Sequence, residues 1–158
     1  YMYTKEELDE RVQSAVGYFM KGYGCGQSVV AAFADLYGLD EATALKIGNG
    51  FGGGVGKMRM MCGAVSGLVI LAGLEAGLSD DIRGGKTECY KLVQDLLEKF
   101  RAANGSIICA ELLGLKTAPA AGDFVPSERN TEYYKSRPCA TKVESAARIF
   151  AEYLSEEN

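Results

Sequence analysis

The sequence predicts an all-α fold: a compact single-domain bundle of six or seven helices over residues 1–158, with a glycine-rich loop before its central helix. Three observations carry that expectation. Apolar residues recur at helical spacing along most of the chain, as in Leu8, Val12, Ala15, Val16 and Phe19. No stretch alternates apolar and polar residues in the way a half-buried strand does. Capping residues stand ahead of several periodic runs, and glycines follow them.

The first helix is expected over Thr4 to Lys21, where Thr4 and Glu7 have capping-box spacing and Gly22 and Gly24 stop it. Cys25 to Tyr37 forms the second, with Gly38 behind it. Asp40 caps a short third helix, EATALKIG. The glycine loop comes next. Cys62 then opens a fourth helix running to Gly73, whose small residues Gly63, Ala64, Ser66 and Gly67 let another helix or a bound group pack close. Asp80 or Asp81 caps a fifth helix to about Ala103, with an apolar stripe of Ile82, Cys89, Leu92, Val93, Leu96 and Phe100. Asn104-Gly105 ends it, and Ser106 caps a short sixth helix, IICAELLG. Leu115 to Arg137, with Pro119 and Pro126, reads as a long loop, either mobile or packed over a site. After Pro138-Cys139 the last helix is expected to use Thr141 and Glu144 as a second capping box and to bury Val143, Ala146, Ala147, Phe150 and Leu154.

Composition removes several classes of function. A net charge of −4 does not favour general nucleic-acid binding. No apolar run is long enough to span a membrane, and YMYTKEELDE lacks the pattern of a secretory signal, so a cytoplasmic location is expected. The absence of histidine removes Ser-His-Asp and Cys-His catalysis, His-ligated haem and Cys₂His₂ zinc sites.

Six glycines crowd into residues 48–56, at Gly48, Gly50, Gly52, Gly53, Gly54 and Gly56. Such a loop is costly to order unless something sits against its backbone. Gly48, Gly50 and Gly53 fit a GxGxxG pattern, but a helical pattern precedes them where a dinucleotide fold needs a strand. Gly56-Lys57 approximates a P-loop but fails at Phe51 and at Met58. Gly52, Gly53 and Gly54 are instead expected to turn backbone amides toward the Cys62 sulfur or toward an anion beside it. Lys57 and Arg59 would add charge there or else lie in solvent. Met58, Met60 and Met61 are expected to pack in the core.

Five cysteines are spread along the chain without a CxxC pair. Cys25, Cys62, Cys109 and Cys139 each fall at or near an expected helix start, where the dipole and free amides favour a thiolate. Cys89 falls in mid-helix on the apolar stripe and is expected to be plain core, dispensable for chemistry.

The run GFGGGVGKMRMMCGAVSG, with YGCGQSVV before it and CAELLG and RPCA after it, resembles the redox-active C_GCAxxG_C_C family over roughly Tyr18 to Ala147. The chain reads Cys62-Gly63-Ala64-Val65-Ser66-Gly67 where the family name spells Gly-Cys-Ala-x-x-Gly. The resemblance implies that Cys25, Cys62, Cys109 and Cys139 form one site.

Three functions follow as alternatives. The four cysteines hold an iron–sulfur cluster or zinc; or they cycle between dithiol and disulfide; or the protein is a non-catalytic helical module with structural zinc or merely buried cysteines. The expected partner is a redox partner or a small anion, with no nucleic acid and no membrane, and a homo-oligomer is left open.

Overall fold

A computed structural model describes residues 3–117 and 122–156. The fold is all-α, and among the described residues it has eight helices and no strand. They are α1 (Lys5–Met20), α2 (Cys25–Phe33, followed by a 3-10 turn Ala34–Tyr37), α3 (Glu41–Asn49), α4 (Gly63–Ala76), α5 (Ile82–Asn104), α6 (Cys109–Leu112), α7 (Thr131–Ser136) and α8 (Cys139–Glu156). The helix beyond the expected number is α7, which lies inside the segment read as a loop.

Most helix starts are where the capping residues put them. Thr4 Oγ1 accepts from Glu7 N at 3.1 Å, while the Glu7 carboxylate accepts from Thr4 N. Asp40 accepts from Thr43 N at 2.7 Å, and Asp81 from Gly84 N at 3.1 Å. The capping box expected at Thr141 does not form. The carbonyl of Pro138 already accepts from Lys142 N, so α8 starts at Cys139 and Thr141 lies in its first turn. The stripe of α5 is buried only at its end, at Leu96 and Phe100, and Ile82 is exposed. The helix leaves the body of the protein at its start.

α4 is the central helix. Every residue from Gly63 to Leu68 is buried, as expected of a helix apolar on all sides. It packs against α2, α5 and α8, while α2 also packs on α1, α3 and α8. Phe33 of α2 meets Phe150 of α8 edge to face at 5.0 Å, inside a core that also holds Phe19, Phe100 and Leu68. The crossing of α2 and α4 depends on missing side chains. A Cβ on Gly67 would lie 2.7 Å from Val29 Cβ, and one on Gly63 would lie 3.0 Å from Cys25 Cβ. This close approach carries the start of α2 to the start of α4.

Candidate functional site

The start of α2 is closed by Gln27, whose Oε1 accepts from Gly24 N at 2.8 Å, leaving Cys25 as the first helical residue. Cys62 is the N-cap of α4. Its amide donates to Ile107 O at 2.8 Å, and Cys109 N donates to Met60 O, about an isolated antiparallel bridge between Met61 and Ile108. That bridge holds the segment before α4 against the segment before α6, which Cys109 opens. Met61 packs against the core, but Met58 and Met60 are exposed, so the expected burial of three methionines holds for one. Residues 60–62 run extended, and extended backbone points successive side chains to opposite faces.

These helix starts surround one cavity of about 440 Å³. Cys25, Cys62, Cys109 and Cys139 all line it, as do Gly52, Gly53, Gly54, Lys57 and Arg59. The structure therefore brings together every residue singled out for the site from sequence. Cys89 is elsewhere, half-buried on α5 and outside the cavity lining.

The glycine loop lines the cavity in an unusual conformation. Gly53, Gly54, Val55, Gly56 and Lys57 have φ of 64°, 74°, 66°, 55° and 64°, five successive residues in the left-handed region, and Arg59 follows at 62°. Non-glycine residues cost about 1–2 kcal/mol each there. Hydrogen bonds hold the turn closed, from Lys57 N to Gly52 O, Arg59 N to Gly53 O and Met60 N to Gly54 O. These use the carbonyls of Gly52, Gly53 and Gly54 but not their amides, which have no acceptor among the described residues. The amides that bear on the Cys62 sulfur are instead those of Ala64 and Val65 at the start of its own helix, which pull its thiol down.

A helix start does not by itself make a thiolate here. Burial pushes the Cys62 thiol up to about 11, against the pull of the Ala64 and Val65 amides. Burial also raises Cys109, although Arg59 donates to its sulfur at 3.8 Å. Cys25 and Cys139 interact, and the interaction drives their thiols in opposite directions. Cys139 is pulled down to about 6, first by the Cys25 thiol, then by the Tyr133 hydroxyl and the charges of Arg137 and Arg129, with burial opposing. Cys25 is raised first by that same interaction and then by burial. Of the four expected thiolates only Cys139 is shifted toward the ionised form: burial comes first at Cys62 and Cys109, and at Cys25 the interaction with Cys139 comes first and burial second. Among the described residues, no three of cysteine, aspartate and glutamate gather closely enough to hold a single metal ion.

The segment before α7 lies over the site. Phe124, Pro126 and Ser127 line the cavity, and Lys57 Nζ ties the segment down through Asp123 at 2.8 Å and the Val125 carbonyl. Lys57 is therefore a strap and not a free cation; Pro119 lies outside the described residues. Sequence reading missed Arg129, Tyr133, Arg137 and Lys142, all of which line the cavity. Arg137, two residues ahead of Cys139, carried a local signal, whereas the others are placed only by tertiary structure. No described helix is long and apolar enough to cross a membrane.

The chain is thus an all-α protein in which four cysteines line one cation-rimmed cavity. Residues 23–153 match the family described as "Putative redox-active protein (C_GCAxxG_C_C)", and the chain belongs to that family. No curated protein and no solved structure matches it.

Proposed function

We propose that the protein is a thiol–disulfide redox protein in which Cys139 is the attacking thiolate and Cys25 the resolving thiol. The observation that carries this reading is that Cys25 and Cys139, opening α2 and α8, line one cavity beside Arg129 and Arg137, where their mutual interaction favours a thiolate on Cys139 and the proton on Cys25. A redox dithiol needs that asymmetry: one nucleophile ionised at neutral pH, and one neighbour that attacks only after a mixed disulfide has formed. Cys62 and Cys109, buried and protonated beside them, extend the site as a second, less reactive pair of thiols. Arg129 and Arg137 stabilise the Cys139 thiolate by charge. Lys57 and the segment it straps limit access of water and of large partners.

The test is redox titration in glutathione buffers, followed by acid quenching, alkylation and peptide mapping. A Cys25–Cys139 disulfide that appears and disappears with buffer potential is expected. Its failure to form at any potential refutes the reading, as does cycling that persists in Cys139→Ser.

A second reading is favoured by the convergence of all four cysteines on one cavity lined also by unpaired amides. The sulfurs as placed do not suit a single zinc ion. Their chemistry fits an iron–sulfur cluster, with Cys25, Cys62, Cys109 and Cys139 as the ligands and amides and arginines offsetting thiolate charge. Such a cluster would supply one-electron transfer. Stoichiometric iron and sulfide in anaerobically purified protein would establish this reading in place of the first.

A further inference from the structure

The charges around the cavity are one-sided. Lys57, Arg59, Arg129, Arg137 and Lys142 line it, and no aspartate or glutamate does, in a chain whose net charge is −4. Elsewhere two other arginines that are not fully exposed have carboxylates: Arg11 with Asp35 and Arg148 with Asp9, both at 2.6 Å. Lys57 also has its carboxylate, Asp123. Among the described residues the other four have none. Arg129 donates to the carbonyls of Phe19 and Tyr23 and lies 4.2 Å over the Phe19 ring. Arg137 lies over the Tyr133 ring, Lys142 donates to Asn104 Oδ1, and Arg59 to the Cys109 sulfur. Each of these partners holds a cation in place without cancelling its charge. Gly52, Gly53 and Gly54, whose amides have no acceptor among the described residues, line the same cavity. One thiolate cannot balance four fixed cations, so the cavity has an unmet demand for negative charge. Its volume of about 440 Å³ suits a small molecule and excludes a folded partner.

We infer that the cavity takes a small organic disulfide bearing carboxylates, held by Arg59, Arg129, Arg137 and Lys142 with its S–S bond against Cys139 and Cys25. This rests on the thiol–disulfide reading above. In the reaction the Cys139 thiolate attacks one substrate sulfur, the substrate S–S bond breaks, and a mixed disulfide forms as the first thiolate leaves. That thiolate takes the Cys25 proton. The Cys25 sulfur then attacks Cys139 Sγ, forming the protein disulfide and releasing the second substrate thiolate. Two electrons pass from the protein dithiol to the substrate, and a thiol reductant restores the dithiol.

Three disulfides of similar size test the inference: bis(carboxymethyl) disulfide, a dianion; bis(hydroxyethyl) disulfide, neutral; and cystamine, a dication. The rate of Cys25–Cys139 disulfide formation is followed by quenched alkylation and mass spectrometry in Cys89→Ala protein. The ratio of dianion rate to neutral rate is the readout, because it cancels any change in thiolate population. We expect that ratio to fall about tenfold in Arg59→Gln/Arg137→Gln, as expected when a focusing field is removed, and to fall with rising salt in unsubstituted protein. Lys142→Gln, on α8 and separate from the glycine loop, should lower it also. If the double variant does not fold, the salt series and Lys142→Gln still decide. A ratio indifferent to salt and to each folded variant overturns the inference while leaving the thiol pair intact. Failure of all three compounds to form the protein disulfide overturns both.

Discussion

Gly54→Ala isolates what the left-handed loop does. Gly54 has φ 74°, and a Cβ built on it would lie 2.6 Å from Cys109 Cβ, 2.8 Å from Arg59 Cα and 2.8 Å from Met60 N. Two of those three atoms are backbone and the third is anchored at a helix start, so none moves cheaply. The left-handed conformation costs alanine about 1–2 kcal/mol. Forcing the overlap costs about 1–3 kcal/mol more. Alanine's stiffer unfolded chain returns about 0.4–1 kcal/mol. The net expectation is a loss of about 1–5 kcal/mol in urea unfolding, with faster alkylation of Cys109 as the loop lifts from it. Gly50→Ala is the control. Gly50 caps α3 at φ −71° with nothing within 4 Å of its missing Cβ, so alanine there should change stability by less than about 1 kcal/mol. If Gly54→Ala costs no more than Gly50→Ala, the loop is not locked against Cys109 and the geometric reasoning fails.

Cys139 should be alkylated with a midpoint near pH 6, well ahead of Cys62, whose midpoint lies near 11. The same shift makes stability depend on pH. The unfolded thiol holds its proton up to about 9 and the native one only to about 6, so stability from Cys139 rises with pH between those values and is lost as pH falls through 6. Cys25, raised above 9, works in the opposite sense only above that pH. The melting-temperature gap between wild type and Cys139→Ser should therefore widen from about pH 6 to about pH 8; a constant gap contradicts the assignment. Lys57→Ala should change global stability by under about 1 kcal/mol, since the Lys57–Asp123 pair is partly exposed, yet speed tryptic cleavage at Arg129 severalfold. Unchanged cleavage would mean that the segment is held by its own packing. Cys89→Ala should cost about 1 kcal/mol by lost burial and leave the Cys25–Cys139 couple untouched; a lost couple would place Cys89 in the site.

The sequence made legible what depends on neighbouring residues. Thr4 with Glu7, Asp40, Asp81 and the positive-φ Gly105 are local devices, and each marks a boundary that the structure keeps. The four helix-start cysteines were legible for the same reason. Thr141 and Glu144 show the limit of that logic: the spacing was right, but Pro138 satisfied the next turn first and the helix began two residues earlier. The acidities of three thiols were not legible because their causes are tertiary: burial at Cys62 and Cys109, and at Cys25 the interaction with Cys139 followed by burial. The cation rim was not legible at all. Arg59 comes from the glycine loop, Arg129 and Arg137 from either side of α7, and Lys142 from α8, so no window of sequence contains them together.

That dispersal argues against the rim being a by-product of solubility. A cation retained for solubility lies in water, and one retained for stability acquires a carboxylate, as Arg11 and Arg148 do in this chain. Arg129 does neither. It is half-buried, stacked on Phe19 and Tyr133, and bonded only to neutral carbonyls. A guanidinium keeps its charge in such a setting because it cannot be deprotonated, and its planar face suits the rings. Holding several like charges around one cavity is unfavourable in itself, and the positive ends of α2 and α8 point at the same place. The strained left-handed turn adds unpaired amides to the same wall. Each feature is unfavourable by itself, and each is relieved by negative charge in the cavity, first by the Cys139 thiolate and then by the anion proposed to meet that thiolate.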